Sequence, residues 1–318
     1  MIASIQNRLD DFRQQRRVQA RSLIISVFGD AILLRGGRVW LGALVQLLEP
    51  LELSERLIRT SVFRLVKEDW LSTETVGRRA DYALTALGRQ RAEEAARHIY
   101  ASHAPQWDRR WRLILTIGEL DAKERERVRS ALFWQGFGLL GADTFVHPSA
   151  DLTQAFDALV AEGLGDVVAR LMPLLAAEGS SALAASGADL VRRAWSLESL
   201  DQAYAAFVAT YSPILADLRR DRLAEVAPQD AFLLRTLLIH DYRRLLLRDP
   251  ELPEVLLGRD WSGHMARLIC RDLYRRLLSA SEAHLDAHLT WADGSAPAAS
   301  ALLAKRFPQD DPLDRIAL

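Results

Sequence analysis

The 318-residue chain is expected to be an α+β protein, mostly helical. The expectation has three parts: an N-terminal winged helix-turn-helix, a central ferredoxin-like βαββαβ unit and a C-terminal helical domain. Three observations carry it. The first hundred residues hold three helical runs followed by a hairpin with a basic tip. From Trp111 to Leu175, short apolar runs alternate with amphipathic helices. Beyond about Leu197 the apolar positions recur at helical spacing in three long stretches. The implied boundaries are 18–100, 107–178 and 190–290, with 291–318, rich in Ala, Ser, Pro and Asp, as a flexible tail.

Val18 to Leu34 forms the first helix, stopped by Gly36-Gly37, and Val39 to Leu48 a second, with Pro50 just beyond its end. The third runs from Ser54 to Lys67. Ser54 is suited to cap it and Glu55 to meet the positive end of its dipole. Leu57, Ile58, Val62, Leu65 and Val66, with small Ser61 among them, make its buried stripe. Trp70–Val76 and Ala80–Leu84 read as paired strands joined at Gly77-Arg78-Arg79, and Thr85 caps a polar helix to about Tyr100.

His103 to Trp107 reads as a linker. A strand over Trp111–Ile117, a helix over Ala122–Trp134, two short strands around Gly141, a helix over Thr153–Glu162 and a strand over Val167–Leu175 then give the βαββαβ order. The last three helices span about Leu197–Arg222 (with Pro213 inside), Pro228–Leu247 and about Gly263–Leu289. A turn-rich segment, Asp249 to Gly263, separates the last two.

Composition narrows the function classes. A hydrophobic fraction of 49% supports real cores. The net charge of −1 is unevenly spread: up to Tyr100 there are 16 Lys+Arg against 12 Asp+Glu, and the remainder is acidic. That points to an anionic partner at the N-terminal end. The single cysteine, Cys270, excludes an intramolecular disulfide and a cysteine metal cluster. No run is apolar for long enough to span a bilayer, and the N-terminal MIASIQNRLDDFRQQRR lacks the apolar core of a secretory leader. A cytoplasmic protein with no membrane partner is expected.

No catalytic or metal site is expected, and no cofactor. Only His284 and His288 stand at metal-ligand spacing, without the glutamate of a zinc-protease helix, so a structural role is favoured. Glu119 and Asp121 follow the first central strand, where small CRISPR-associated nucleases of similar fold carry a metal-binding Asp. The strand LILTIGE itself offers no paired acid, and a capped turn explains those acids more simply. An enzyme that processes nucleic acid and uses the winged helix for docking is the alternative, and it lacks an acid–base cluster.

The Ser54–Lys67 helix carries the chemistry. A recognition helix locks one apolar face into its own domain and offers a polar face to the major groove. Arg donates two hydrogen bonds to guanine O6 and N7, and Thr contacts bases or phosphates. The polar side presents Arg56, Arg59, Thr60, Arg64 and Lys67. Arg78 and Arg79 at the hairpin tip supply what a wing needs to touch the backbone or minor groove. The expected partner is therefore double-stranded operator DNA. A homodimer is expected too, because two recognition helices reading two half-sites give the affinity that one rarely gives.

The run SLIISVFGDAILLRGGRVWLGALVQLLEPLELSERLIRTSVFRLVKEDWLSTETVGRRADYALTALGRQR resembles the N-terminal domain of PaaX-type repressors of phenylacetate degradation. Trp107 to Trp111, the Gly136-Phe-Gly138 turn and HDYRRLLLRDPELPEVLLGRDWSG also match that family's pattern, so the resemblance reaches from about Ser22 to about Leu289. Gly258-Arg259 departs from it after the Leu-Leu pair. The resemblance implies repression of aromatic-acid catabolism, a DNA-binding segment at Arg56, Arg59, Thr60 and Arg64, and release by an aryl-CoA thioester such as phenylacetyl-CoA.

Coenzyme A needs cations for its phosphates and an apolar pocket for its acyl group. Two clusters qualify as effector sites. One is Arg109, Arg110 and Arg112 beside Trp107 and Trp111; the other is His240, Arg243 and Arg244, with Arg248 and Trp261 beyond them. Pairing of these arginines with Asp241, Asp249 and Asp260 in a structural network is an equal alternative.

Overall fold

The computed structural model describes residues 2–101, 105–178, 185–220 and 226–307. It is a mostly helical α+β arrangement with two small antiparallel sheets. The chain divides into a larger unit, Met1–Ser102 with Tyr204–Leu245 and Ser262–Leu318, and a smaller one, His103–Ala203 with Leu246–Trp261. The first hundred residues and the C-terminal helices therefore share a unit, whereas the sequence divides them.

In the larger unit, helix α1 (Ala3–Arg13) precedes the first expected helix and buries Ile5, Leu9 and Phe12 at helical spacing. Helix α2 (Ala20–Val27) continues as a π-helical turn, Phe28–Ile32, and a 3-10 turn, Leu33–Arg35. Gly36 (φ 89°) and Gly37 (φ 76°) then end it in a backbone conformation open to glycine. The expected second helix is shorter than its pattern: strand β1 (Arg38–Trp40) takes its start and helix α3 (Leu41–Leu48) the rest. Tertiary pairing overrides local periodicity there, since Arg38, Val39 and Trp40 register against Ala83, Tyr82 and Asp81. Helix α4 (Glu55–Lys67), strands β2 (Leu71–Val76) and β3 (Arg79–Leu84) and helix α5 (Ala86–Ile99) follow. The sheet order is β1-β3-β2.

In the smaller unit, strand β4 (Arg110–Thr116) leads to helix α6 (Ala122–Phe133), strands β5 (Gly138–Leu140) and β6 (Thr144–His147), helix α7 (Leu152–Ala161), the short helix α8 (Gly165–Val168), strand β7 (Leu171–Ala177) and helix α9 (Gly187–Ala194). The sheet order is β5-β6-β4-β7, antiparallel throughout. The last strand begins later than expected, because Gly165–Val168 close a helical turn before it. Asp121 caps α6 in a capping box with Glu124, which accounts for the acid after the first strand. One core of this unit gathers Ile114, Val128, Leu132, Phe145 and Leu159; a second gathers Trp111, Val146, Val191, Leu252 and Leu256.

Helix α10 (Glu198–Arg220) contains Pro213 and belongs to the larger unit from Tyr204 onward; helix α11 (Pro228–Leu246), as far as Leu245, and helix α12 (Ser262–His288) complete that unit. Phe232, Leu233, Leu234, Leu237, Leu238 and Ile239 are all buried, so the middle of α11 is enclosed on every side while its ends reach solvent. The π turn presents Asp30 to a buried network. Its carboxylate is ion-paired with Arg235 (2.8 Å) and Arg306 (2.9 Å) and accepts hydrogen bonds from the hydroxyls of Tyr100 and Tyr274.

Arg306 corrects the expected flexible tail. Residues 292–307 are docked: Phe307 is buried against Tyr100 and Tyr274, and the buried Asp81 carboxylate accepts the Ala292 N–H. Small and polar composition does not predict disorder when one arginine has a buried carboxylate to reach. Residues 308–318 lie outside the described residues, as does part of the expected linker after Ser102.

Candidate nucleic-acid interface

Helix α4 is held by its inner stripe. Ile58, Ser61, Val62 and Leu65 are buried, and the Ser54 hydroxyl accepts the Leu57 N–H as an N-cap. Leu57, expected in that stripe, is 39% exposed instead, because it lies at the flank of the helix. Near the far end of α4, an ion pair joins Arg21 of α2 to Glu68.

Arg56, Arg59, Thr60, Arg64 and Lys67 all lie in solvent on the outer side of α4. They are not equivalent. Arg59 is ion-paired with Glu55 at 2.6 Å, so the face is not free of acid. The Thr60 hydroxyl donates to the Arg56 carbonyl, an i−4 bond within the helix. Among the described residues, the Arg56 and Arg64 guanidinium groups have no carboxylate partner. Phe63, 58% exposed with the Lys67 ammonium 4.8 Å from its ring centroid, belongs to the same face. Sequence reading passes over Phe63; its helical neighbours Arg59, Thr60 and Lys67, all polar, were the available signal.

The hairpin tip is tighter than its sequence suggests. Val76 pairs with Arg79, leaving Gly77 (φ 62°) and Arg78 as the turn. Arg79 is thus the first residue of β3, and its guanidinium lies 4.4 Å from the Trp40 ring centroid, an attractive cation–π geometry. Only Arg78 stands at the tip.

The two expected effector clusters are distributed differently. His240 and Arg243 face α2: the His240 ring meets the Ser26 hydroxyl at 3.2 Å, and Arg243 donates to Ser22 and Ser26. Burial pushes the His240 pKa down to about 4, so the ring is neutral at pH 7. A slot of about 30 Å³ adjoins Arg243, room for little more than water. Of the three, only Arg244 is exposed. Trp261 belongs to the smaller unit.

Asp241, the expected acid for a structural network, pairs with Arg8 of α1 at 2.6 Å. Arg112 is held by Asp108 at 2.7 Å and by the carbonyls of Arg110 and Pro148, which commits it to the fold. Arg109 (φ 60°) and Arg110 remain exposed, while Trp111 is buried in the core. His284 stacks on both Phe232 and His288. Among the described residues, no group of three His, Cys, Asp or Glu side chains is placed to hold a metal.

An exposed, arginine-rich helix face and a basic hairpin tip in the same unit suit binding to a polyanion. Family comparison is more specific. Residues 19–88 match the PaaX-like protein family, residues 104–172 the PaaX protein central Cas2-like domain, and residues 195–287 the PaaX-like protein C-terminal domain. The chain belongs to the PaaX family. It is 37% identical over 308 residues to the transcriptional repressor PaaX of Escherichia coli (strain K12), covering 95% of each chain. It is also similar in fold to the uncharacterized protein Rv0674 from Mycobacterium tuberculosis, with a TM-score of 0.53 and 24% identity over 83% of this chain and 98% of that one.

Proposed function

We propose that the protein is a transcriptional repressor of phenylacetate catabolism that binds operator DNA and is released by an aryl-CoA thioester such as phenylacetyl-CoA. The outer face of α4 carries this reading: Arg56, Thr60, Phe63, Arg64 and Lys67 stand in solvent on a helix whose opposite side is anchored in the core. In the groove, Arg56 and Arg64 read guanine edges and Phe63 meets a thymine methyl. Arg59 joins them by exchanging Glu55 for DNA. Helices α2, α3 and α4 with the β1-β3-β2 sheet serve as a winged helix-turn-helix, in which Arg78 touches the backbone. The β5-β6-β4-β7 sheet with α6 and α7 serves as a ferredoxin-like unit.

A homodimer places two such helices on an inverted repeat. The thioester binds one conformation of the repressor better than the DNA-competent one and shifts the population toward it. The protein works in the cytoplasm, in keeping with the absence, among the described residues, of a helix long and apolar enough to cross a membrane.

Fluorescence anisotropy of promoter DNA from phenylacetate-catabolic genes tests the proposal. Tighter binding to that DNA than to a scrambled fragment at one salt concentration, reversed by phenylacetyl-CoA and not by phenylacetate, is expected. Equal affinity for both fragments, with or without the thioester, refutes it.

A further inference from the structure

The smaller unit contains an open cleft of about 590 Å³, a size typical of sites for small organic ligands. It lies between the C-terminal end of α6, the segment around Trp195 and the turn at Leu247–Pro250. Its floor is preformed. Trp195 Nε1 donates to the Gly136 carbonyl at 2.9 Å. Gly136 has φ 81°, and a Cβ there would meet His147 Nε2 at 3.1 Å. A side chain at this position is therefore disfavoured both by backbone strain and by contact.

The walls leave unusual surface in water. Trp134 is 85% exposed, Leu247 63% and Phe133 43%. Apolar rings are stabilised when removed from water, so a concave face that leaves Trp134 and Phe133 wet is suited to a flat apolar group. Two cations line the same cleft. Arg248 is exposed and, among the described residues, has no carboxylate partner; Arg129 lies over Phe133 and reaches Glu126 only at 3.7 Å. Of the two acids lining the cleft, Glu126 is thus loosely held by Arg129. The other, Asp249, accepts the Glu251 N–H and is committed to its turn.

We propose that this cleft binds a small molecule combining a planar aromatic group with phosphate. The ring packs on Trp134 and Phe133, and Arg248 and Arg129 take the phosphate. Resting on the effector reading above, that molecule is the aryl-CoA thioester, whose adenine and phosphates have this combination. The site then lies in the smaller unit, apart from His240 and Arg243.

Calorimetry on the full-length protein with phenylacetyl-CoA, free CoA, ATP and phenylacetate tests the assignment, using Trp134→Ala, Arg248→Ala and, outside the cleft, Arg244→Ala. The cleft substitutions are at exposed positions and the fold tolerates them. Each is expected to weaken thioester binding roughly tenfold or more, as loss of a stacking ring or a phosphate contact does, while Arg244→Ala leaves it unchanged. DNA affinity without ligand stays at the wild-type value in all three. Binding of ATP as tight as the thioester supports the cleft as a nucleotide site but removes the thioester as its specific ligand. Unchanged thioester binding in both cleft variants overturns the cleft and leaves the effector reading standing, as does a loss confined to Arg244→Ala. If the wild-type protein binds no CoA ester, the effector reading itself fails. A dimer that dissociates in Trp134→Ala, with thioester affinity intact, assigns the face to a second copy of the chain and also overturns the proposal.

Discussion

Replacing Asp30 by Asn keeps the side-chain shape and removes one charge from the most enclosed ionic network of the larger unit. The carboxylate is 4% exposed, and its partners Arg235 and Arg306 are 1% and 7% exposed. An amide cannot balance two guanidinium groups, and its NH₂ adds a donor among donors. Arg235 keeps Glu282 and Arg306 keeps the carbonyls of Gly29 and Asp30, so neither is stranded entirely. Breaking one partner of such a network costs about 3–5 kcal/mol. With a urea m-value of about 2–3 kcal/mol per M, the unfolding midpoint falls by roughly 1–2.5 M.

The sign of the pH dependence is fixed as well. Burial alone would raise the Asp30 pKa, but Arg235 and Arg306 outweigh it and hold the group below the usual carboxylate range. Its stabilisation is therefore present above the unfolded pKa and is lost as pH falls through the lower, folded one. Urea titrations followed by far-UV circular dichroism at pH 7 and at about pH 3, below the unfolded carboxylate pKa of roughly 3.9, measure both effects. A midpoint shift under about 0.3 M at pH 7, far below the loss worked out above, would mean that the network contributes little. An acid sensitivity as large in Asp30→Asn as in the wild type would locate the pH response elsewhere.

Other expectations follow from the same contacts. Arg306→Ala removes the tail's anchor on Asp30 and is expected to expose residues 292–307 to limited proteolysis, whereas the wild-type segment resists it. Arg78→Ala should reduce the salt slope of operator binding by roughly one unit per half-site, and Arg79→Ala by less, because Arg79 is engaged with Trp40. Footprinting should protect an inverted repeat with half-site centres about 10.5 bp apart or a whole multiple of that, and protection of a lone half-site at every concentration would contradict a dimeric reader.

The outer face of α4 was legible because an amphipathic pattern of 13 residues with a serine cap is a local signal. So were α5, α6, α11 and α12, each within a residue or two of its expected limits. What the sequence could not disclose depends on partners far along the chain. Strand β1 is three residues long and exists only through its pairing with β3. The tail is ordered because Arg306 meets Asp30, 276 positions earlier. Periodicity placed His240, Arg243 and Arg244 on one surface of α11, yet it does not say which side faces α2, where His240 and Arg243 meet Ser22 and Ser26. Local charge counting also missed that Arg59 spends its charge on Glu55, and that Phe63 stands in water beside the arginines.

The central claim is that the outer face of α4 distinguishes operator from other DNA. The most direct test is the ratio of operator to random-sequence affinity, measured by anisotropy at one salt concentration for the wild type and for Arg64→Ala. Loss of a bidentate base contact removes about 1–3 kcal/mol of discrimination, so the ratio is expected to fall roughly 5- to 150-fold while random-sequence binding weakens far less. If both affinities fall together and the ratio holds, and Arg56→Ala behaves in the same way, these arginines touch only phosphate and α4 is not the reading element.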